Sequence, residues 1–525
     1  LYNEVSFLHQ ILIKNRFMAN MKTPGVYIVE KNAFPNSVVE VPTSIPVFIG
    51  ITEKASNGKE DLKGKPWRIS SMAEYINYFG QSPEEKFILS IKKSNSTIAD
   101  CLFMYEEEYT ETDATTTKYV FTAQRKKYFT LYYQMLMFFA NGGGTCYVLS
   151  AGNYKDNQLL NKNMMSNAIN ALEKEREITM VLIPEAVYSS DCANIQTMVL
   201  DHCSKMQNRF AILDVQAKSS ENQTMMEQVK EFQTNIGNNG LSYGAAYYPW
   251  LETTILGDKD ITADMFSWSA DSELDFKAFF PKDSGILNYA NATIDEIIKS
   301  QETPDNKKNE FHQVLLQNWS VYQSMIKTVK ASLNLLPPSA AMAGIYTMVD
   351  NTRGVWKAPA NVSVNYVNRP EVNINNREQE DINVPANGKS INAIRSFIGE
   401  GIKVWGARTL DSNSLDWRYI NVRRTMIFLE ESVKNAAHAY VFEPNDANTW
   451  LNIKYMIENF LRGVWKRGGL AGATPEDAFS VHVGLGDTMT PEDVLEGIMR
   501  VTVLVAISRP AEFIEITFQQ QMQKS

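Results

Sequence analysis

Apolar and polar positions between residues 146 and 251 alternate between two rhythms. Short apolar runs at 146–150, 178–183, 210–215 and 242–251 are too short for helices and read as buried strands. Between them lie stretches in which apolar residues recur every three or four positions. Leu160, Met164, Ala168 and Leu172 form one such stripe. Cys192, Ile195, Val199, Cys203 and Met206 form a second, and Met225, Val229, Phe232 and Ile236 a third. Strand–helix units repeated in this way predict an α/β fold with a largely parallel core sheet and helices on both sides. Residues 45–50 read as a further apolar strand. Residues 127–140 read as a helix stopped by Asn141-Gly142-Gly143-Gly144.

Two regions lose the rhythm. Residues 56–130 are rich in Lys, Glu, Ser and Thr, and residues 252–330 in Asp, Asn, Ser and Lys, with one better helix at 309–329. Both read as variable insertions on a body formed by 42–55, 131–251 and 331–509. The last third is again α/β. Residues 391–397, 401–409, 479–484 and 497–507 look extended. Residues 340–350 read as a small-residue helix, 417–440 as a long striped helix, and 448–465 as another. The ends differ from the body. Residues 25–30 and 37–41 are strand-like with Pro35 between them, and 513–518 alternate strictly after Pro510. We expect two β arms, 22–41 and 510–525, that pair with another copy of the chain by adding a strand to an exposed sheet edge. Residues 1–21 read as an upstream leader. Leu8 and Ile11 to Ile13 imitate a signal-peptide core, but Glu4 precedes them, and Lys14 and Arg16 stand where a small-residue cleavage site belongs.

Composition adds bounds. The chain has 525 residues, 44% of them apolar and 21% charged, which suits a large globular core. A formal charge of −9 argues against nucleic acid as a partner. No apolar run approaches the ~18 residues of a membrane span. The four cysteines form no C-x-x-C pair, which points to free thiols in a reducing compartment.

Candidate chemistry is sparse. Glu185 and Asp214 follow the ends of adjacent predicted strands, where ligand sites of open parallel sheets gather. They suggest an acid–base pair, a divalent-metal site, or simply caps for the following helices and loop hydrogen bonds. Cys192, His202 and Cys203 do not have the spacing of a zinc finger or ribbon, and both cysteines sit on an apolar stripe. Asn387-Gly388-Lys389-Ser390 ends like a phosphate-binding loop, but Asn383 stands where its first glycine belongs. No residue is assigned to catalysis, a cofactor or a metal. Lys454, Arg462, Lys466 and Arg467 cluster on or past a helix end, where cations are favoured by the helix dipole or reach an acidic partner.

Several segments together resemble contractile tail sheath proteins, those of phage tails, phage-tail-like bacteriocins and extracellular contractile injection systems. They are Pro24-Gly25-Val26-Tyr27, residues 41–50 and 139–148, Pro337-Pro338-Ser339-Ala340, Gly354-Val355-Trp356-Lys357-Ala358-Pro359-Ala360, and Ile391-Asn392-Ala393-Ile394-Arg395. Further on come Val404-Trp405-Gly406-Ala407-Arg408-Thr409-Leu410, Tyr419-Ile420-Asn421-Val422-Arg423-Arg424 and Arg509-Pro510-Ala511-Glu512-Phe513-Ile514. The match is ordered from residue 24 to about 520 and skips both insertions.

The resemblance implies a structural subunit, not an enzyme: a mixed multi-domain sheath fold in which 331–509 is the C-terminal sheath domain. Stacked six-fold rings of this one chain would surround an inner tube, contacting baseplate and cap proteins, without a cofactor, nucleic acid or membrane insertion. Assembly would take place in the bacterial cytoplasm, as part of a phage tail or similar particle. The arms would exchange strands between subunits, with Val26, Ile28, Val39, Phe513, Ile514 and Ile516 as contacts and Pro510 as the turn. Lys454, Arg462, Lys466 and Arg467 would face the tube. The alternatives are a doubly wound enzyme using Glu185 and Asp214, and a non-contractile structural component of a related particle.

Overall fold

The computed structural model describes residues 38–94, 101–110, 116–125, 128–156, 158–218, 223–269, 271–280, 286 and 305–516. Its centre is a nine-stranded sheet. The spatial order is Val362–Ser363, Gly401–Val404, Ile391–Phe397, Gly244–Tyr248, Phe210–Asp214, Met180–Leu182, Pro46–Thr52, Cys146–Asn153 and Pro66–Ile69. Neighbours from Ile391–Phe397 through Cys146–Asn153 run parallel, and the strands at both edges are antiparallel.

Side chains alternate across the sheet, and both faces are apolar, as strands covered on two sides require. Val47, Ile49 and Ile51 join Leu149, Val181, Ala211, Leu213 and Tyr248 on one face. Helices Lys162–Leu172, Cys192–Met206 and Met225–Asn235 cover it with Leu172, Val199, Cys203 and Phe232. Phe48, Val148, Leu182, Ile212 and Tyr247 form the other face, under helices Met72–Phe79, Leu131–Ala140 and Ser339–Arg353. The last two helices touch closely. A Cβ on Gly344 would stand 2.5 Å from the Phe138 carbonyl oxygen, so glycine is required there.

The two insertions are not independent. Strands Phe87–Lys93, Phe103–Thr110 and Thr116–Arg125 form an antiparallel set, and Phe266–Trp268 pairs parallel to the first of them. Phe87, Phe121, Phe276, Trp319 and Tyr322 make one core from both excursions. At its base, Arg125 and Glu85 form a buried two-bonded ion pair at 2.7 and 3.0 Å.

Two expectations are corrected. Residues 56–80 belong to the body, because Pro66–Ile69 pairs with Cys146–Asn153 and Tyr75 and Phe79 enter the body core. The single helix expected at 309–329 is two, Asp305–Asn318 and Ser320–Asn334. Trp319 leaves helical geometry to pack on Phe121 and Phe280, each 5.2 Å between ring centroids. Residues 38–41 and 510–516 form no strand. The ladder hydrogen bonds that define one need a partner backbone.

The C-terminal body forms around Phe428, Ile457, Phe460, Leu461 and Val464. It combines helices Ile420–Ala437 and Ala447–Lys466 with the hairpin of Phe479–His482 and Thr502–Val505. The first of these helices links the two bodies. Ile420 lies in the main core, and Phe428 and Leu429 in the second.

Because the insertions share one core, Phe121→Ala removes about 3–5 kcal/mol from it. In hydrogen-exchange mass spectrometry, protection is expected to fall together in 87–93, 116–125 and 320–334, while 146–153 keeps its protection. Loss in only one of the two excursions would contradict a shared core.

Candidate functional site

The candidate carboxylates come first, because they carry the enzymatic alternative. Glu185 is buried. Its Oε2 accepts from the Ile51 N–H at 2.7 Å, and its Oε1 accepts from Thr130 and Leu131 N–H at 2.7 and 3.0 Å. It thereby closes the N-terminus of the Leu131–Ala140 helix, whose first donors have no partner within the helix. Asp214 does the same for Ser339–Arg353. Its Oδ1 accepts from Ser339 N–H at 2.7 Å and its Oδ2 from Ser339 Oγ at 2.5 Å. Burial pushes both carboxyls up to about 7, against these hydrogen bonds. Four oxygens at the strand ends are thus engaged with protein donors.

The other motifs are absorbed similarly. Cys192 and Cys203 pack in the sheet core, where burial pushes their thiols up to about 12. Burial lowers the buried His202 to about 4, helped by Arg209, whose Nη1 lies 3.2 Å from its Nε2. Among the described residues no group of three His, Cys, Asp or Glu could hold a metal ion. Lys389 donates from Nζ to the Gln233 carbonyl at 2.6 Å, and the Ser390 hydroxyl bonds the Asn383 carbonyl. The phosphate-loop lookalike is a pinned turn.

The distinctive geometry lies where the tails leave the body. After Thr502–Val505 the chain stays bonded. Ala506 N–H donates to Ala478 O at 2.8 Å and its carbonyl accepts from Ala471 N–H at 2.7 Å. Ser508 Oγ donates to Gly468 O at 3.2 Å, and Asn421 Nδ2 donates to Ser508 O at 3.0 Å and Trp356 O at 2.8 Å. Glu512 follows. Arg408 donates to its carboxylate from Nε to Oε1 at 2.9 Å and from Nη2 to Oε2 at 2.7 Å. Asn383 Nδ2 and Tyr419 OH add bonds at 2.8 and 3.0 Å. Burial works against the carboxylate charge, but the bonds and charge of Arg408, with Asn383 and Tyr419, overcome it and hold the group below the usual carboxylate range.

Arg408 is itself fixed. The Asn392 side chain accepts from its N–H and donates to its carbonyl, both at 2.8 Å. A Cβ on Gly406 would stand 2.8 Å from Asn392 Oδ1, so the tight approach needs glycine. Among the described residues these tail contacts end at Glu512. No backbone group of 510–516 is hydrogen-bonded to a described residue. Phe513, Ile514 and Ile516 are 74%, 78% and 70% exposed.

The N-terminal root lies against the same body. Val38 and Val41 pack on its core, Val41 N–H donates to Ser432 Oγ at 3.2 Å, and Val39 points outward, 79% exposed. Glu40 pairs with Arg467, whose guanidinium also stacks 5.2 Å from the Trp356 ring. Arg467 and Gly468, at the end of the Ala447–Lys466 helix, therefore hold one tail each. Val26 and Ile28 lie outside the described residues.

Of the basic residues, Arg467 is engaged with Glu40, and Lys454 lies 3.9 Å from Glu458. Arg462 and Lys466 are exposed on the helix. Arg408, Asn421 and Glu512 stand within the resembling motifs without a role legible from the sequence, and Asn383 stands out there only as the residue in place of a phosphate-loop glycine. Tyr419 and Trp356 likewise stand in those motifs without a legible role. The signal was there: a lone Arg and a lone Glu in two specific strings 104 residues apart.

A family model described as the phage tail sheath protein central domain matches residues 160–410, and one for the phage tail sheath C-terminal domain matches 412–521. The tail sheath protein of Vibrio phage KVP40 is 24% identical over 164 residues, covering 31% of this chain and 23% of the relative. That of Burkholderia phage BcepMu is 29% identical over 143 residues, covering 26% and 30%. The chain thus matches less than a third of the length of these curated relatives.

Among solved structures, the contracted sheath complex of an extracellular contractile injection system, PVC, shares 26% identity at a TM-score of 0.58. That alignment covers 95% of this chain and 98% of the other. The contracted helical sheath of the anti-feeding prophage shares 25% at 0.57, covering 95% and 100%. A chain of the anti-feeding prophage baseplate structure shares 26% at 0.56, covering 96% and 100%.

The depressed Glu512 carboxyl makes the clasp acid-sensitive. Its contribution is full above the ordinary carboxylate range and is lost as pH falls through the depressed value. A nitroxide on Ile514→Cys, in a Cys101→Ser background, should give a broad spectrum near neutral pH that sharpens only once pH has fallen below the ordinary carboxylate range. With Arg408→Ala it should be sharp throughout. An unchanged spectrum in that variant would contradict the clasp.

Proposed function

This chain belongs to the contractile tail sheath family, and from that premise we propose that it is the structural subunit of a sheath. Copies of it would polymerise as stacked six-fold rings around an inner tube, between baseplate and cap proteins. Contraction would then drive the tube through a target envelope. The observation that carries this reading is the tail root. Three large apolar side chains follow within four residues of a tightly held anchor, on a backbone without described partners. Exposed apolar groups and unpaired backbone in one extended segment suit addition to a sheet of another copy.

The energetics favour arms as tethers. Four residues, 513–516, offer a few backbone bonds of ~0.5–1.5 kcal/mol net each. Ordering each residue costs ~1–2 kcal/mol in backbone entropy. The clasp has already ordered the chain up to 512, so a neighbour need order only what lies beyond. The driving force for contraction then falls to burial between the bodies. The extended form is held by a barrier and the contracted form is the stable one. Subunits meet through unlike patches, because only heterologous contacts build an open helix.

Within this reading Val26, Ile28, Val39, Phe513, Ile514 and Ile516 make the inter-subunit contacts, and 22–41 and 510–525 are the arms. Pro510 lies inside the anchored stretch, so the moving part of the arm begins after Glu512. Arg462 and Lys466, with Lys454, face an acidic inner tube, and Arg467 serves the N-terminal root. Sheaths of this kind assemble in the bacterial cytoplasm as part of a phage-tail-like particle. The engagement of Glu185 and Asp214 by helix N-termini supports a structural role over a carboxylate-based enzyme.

Removing residues 513–525 should leave a soluble monomer that forms no tubes in negative-stain electron microscopy. Tubes of normal length would overturn the arm model. Arg462→Glu with Lys466→Glu should leave a folded protein that fails to assemble on the tube, as judged by co-sedimentation. Normal co-assembly would remove the tube contact from the reading.

A further inference from the structure

This inference rests on the sheath reading and concerns how an exchanged strand finds its register. A strand slipped by one residue turns every side chain to the opposite face. An arm joining another copy must therefore be counted from some fixed origin. Among the described residues, the last bonds of the tail to its own body are those of Ser508 and the Glu512 carboxylate. Between them lies Arg509-Pro510-Ala511, in which the proline ring fixes one dihedral. Five hydrogen bonds from Arg408, Asn383 and Tyr419 hold the Glu512 carboxylate in place.

Beyond it the polarity alternates. Ile514 and Ile516 share one face of an extended strand, and Phe513 and Glu515 the other. Only the isoleucine face can be buried without desolvating a charge. We propose that the Arg408–Glu512 clasp is a register stop. It sets residue 512 as the origin from which Ile514 and Ile516 are delivered together to an apolar bed on a second copy of this chain. Arg408, Asn383, Tyr419 and Glu512 are positioning residues in this scheme. They do not touch the neighbour; they fix which face of the arm meets it.

Insertion between Glu512 and Phe513 tests this, with pelletable polymer and negative-stain images as readouts. One inserted serine turns the charged face inward. Polymer should fall by about tenfold or more, the effect of losing burial of even one large apolar side chain. Two inserted serines restore the face, and polymer should return to within about threefold of the unmodified protein, because a slightly longer tether costs little. With Arg408→Ala and Glu512→Ala together, which leaves no unpaired charge, one and two insertions should differ by less than about twofold, since the origin is gone and register can adjust. A thermal melt checks that this double variant is folded, and Glu512→Gln replaces it if it is not. Equal polymer from one and two insertions in the clasped protein would overturn the register stop. So would a parity effect that survives loss of the clasp. Unmodified protein that never polymerises would overturn the sheath reading, and this inference with it.

Discussion

A single ion pair decides where this chain stops being a folded body and becomes a free arm. Arg408 is almost wholly buried, and Glu512 is its partner through three charged hydrogen bonds. Removing the carboxylate would leave a buried guanidinium without a counterion, at a cost on the order of 3–5 kcal/mol. The clasp is therefore stable on its own terms, before any neighbour arrives. That separates two tasks that a tether has to perform. On the sheath reading, the chain before 512 would transmit force to the body, and the chain after it would be offered to another copy.

The body would receive that force through a few contacts. Arg408 hangs from Asn392, which also donates to the Ala246 carbonyl and so joins the central sheet. Asn421 ties the stretch before the clasp to Trp356, and Trp356 carries the guanidinium that holds Glu40. The N-terminal side continues inward. Arg424 bonds Thr43 O at 3.0 Å and pairs with Asp350 at 2.6 Å on the Ser339–Arg353 helix, whose N-terminus Asp214 closes. Both tails thus reach the main sheet through short chains of buried polar contacts. On the sheath reading, a pull on either tail would reach the main sheet through these contacts.

Much of this was legible in the sequence because the central sheet is covered on both sides. Its strands are short apolar runs, and its helices show clear stripes such as Ile195, Val199 and Cys203. The insertions were harder. Phe121 and Trp319 share a core from distant parts of the chain, and no local pattern tells that two polar-rich excursions fold together. Residues 56–80 looked like surface because Pro66–Ile69 is an edge strand of mixed polarity. The clasp was half legible. Its residues stood in the most specific strings, yet the pairing of Arg408 with Glu512 is a long-range fact that spacing does not encode. The chemistry-like residues Glu185 and Asp214 were placed at strand ends, and only the hydrogen bonds tell a helix cap from a reactive pair.

The most direct measurement is a cryo-EM reconstruction of the polymer formed by this chain, at a resolution that traces side chains. The account expects Glu512 still bound to Arg408 of its own subunit, with 513–516 hydrogen-bonded into a sheet of an adjoining one. A tail folded back along its own body, or a Glu512 released from Arg408 to pair elsewhere, would contradict it.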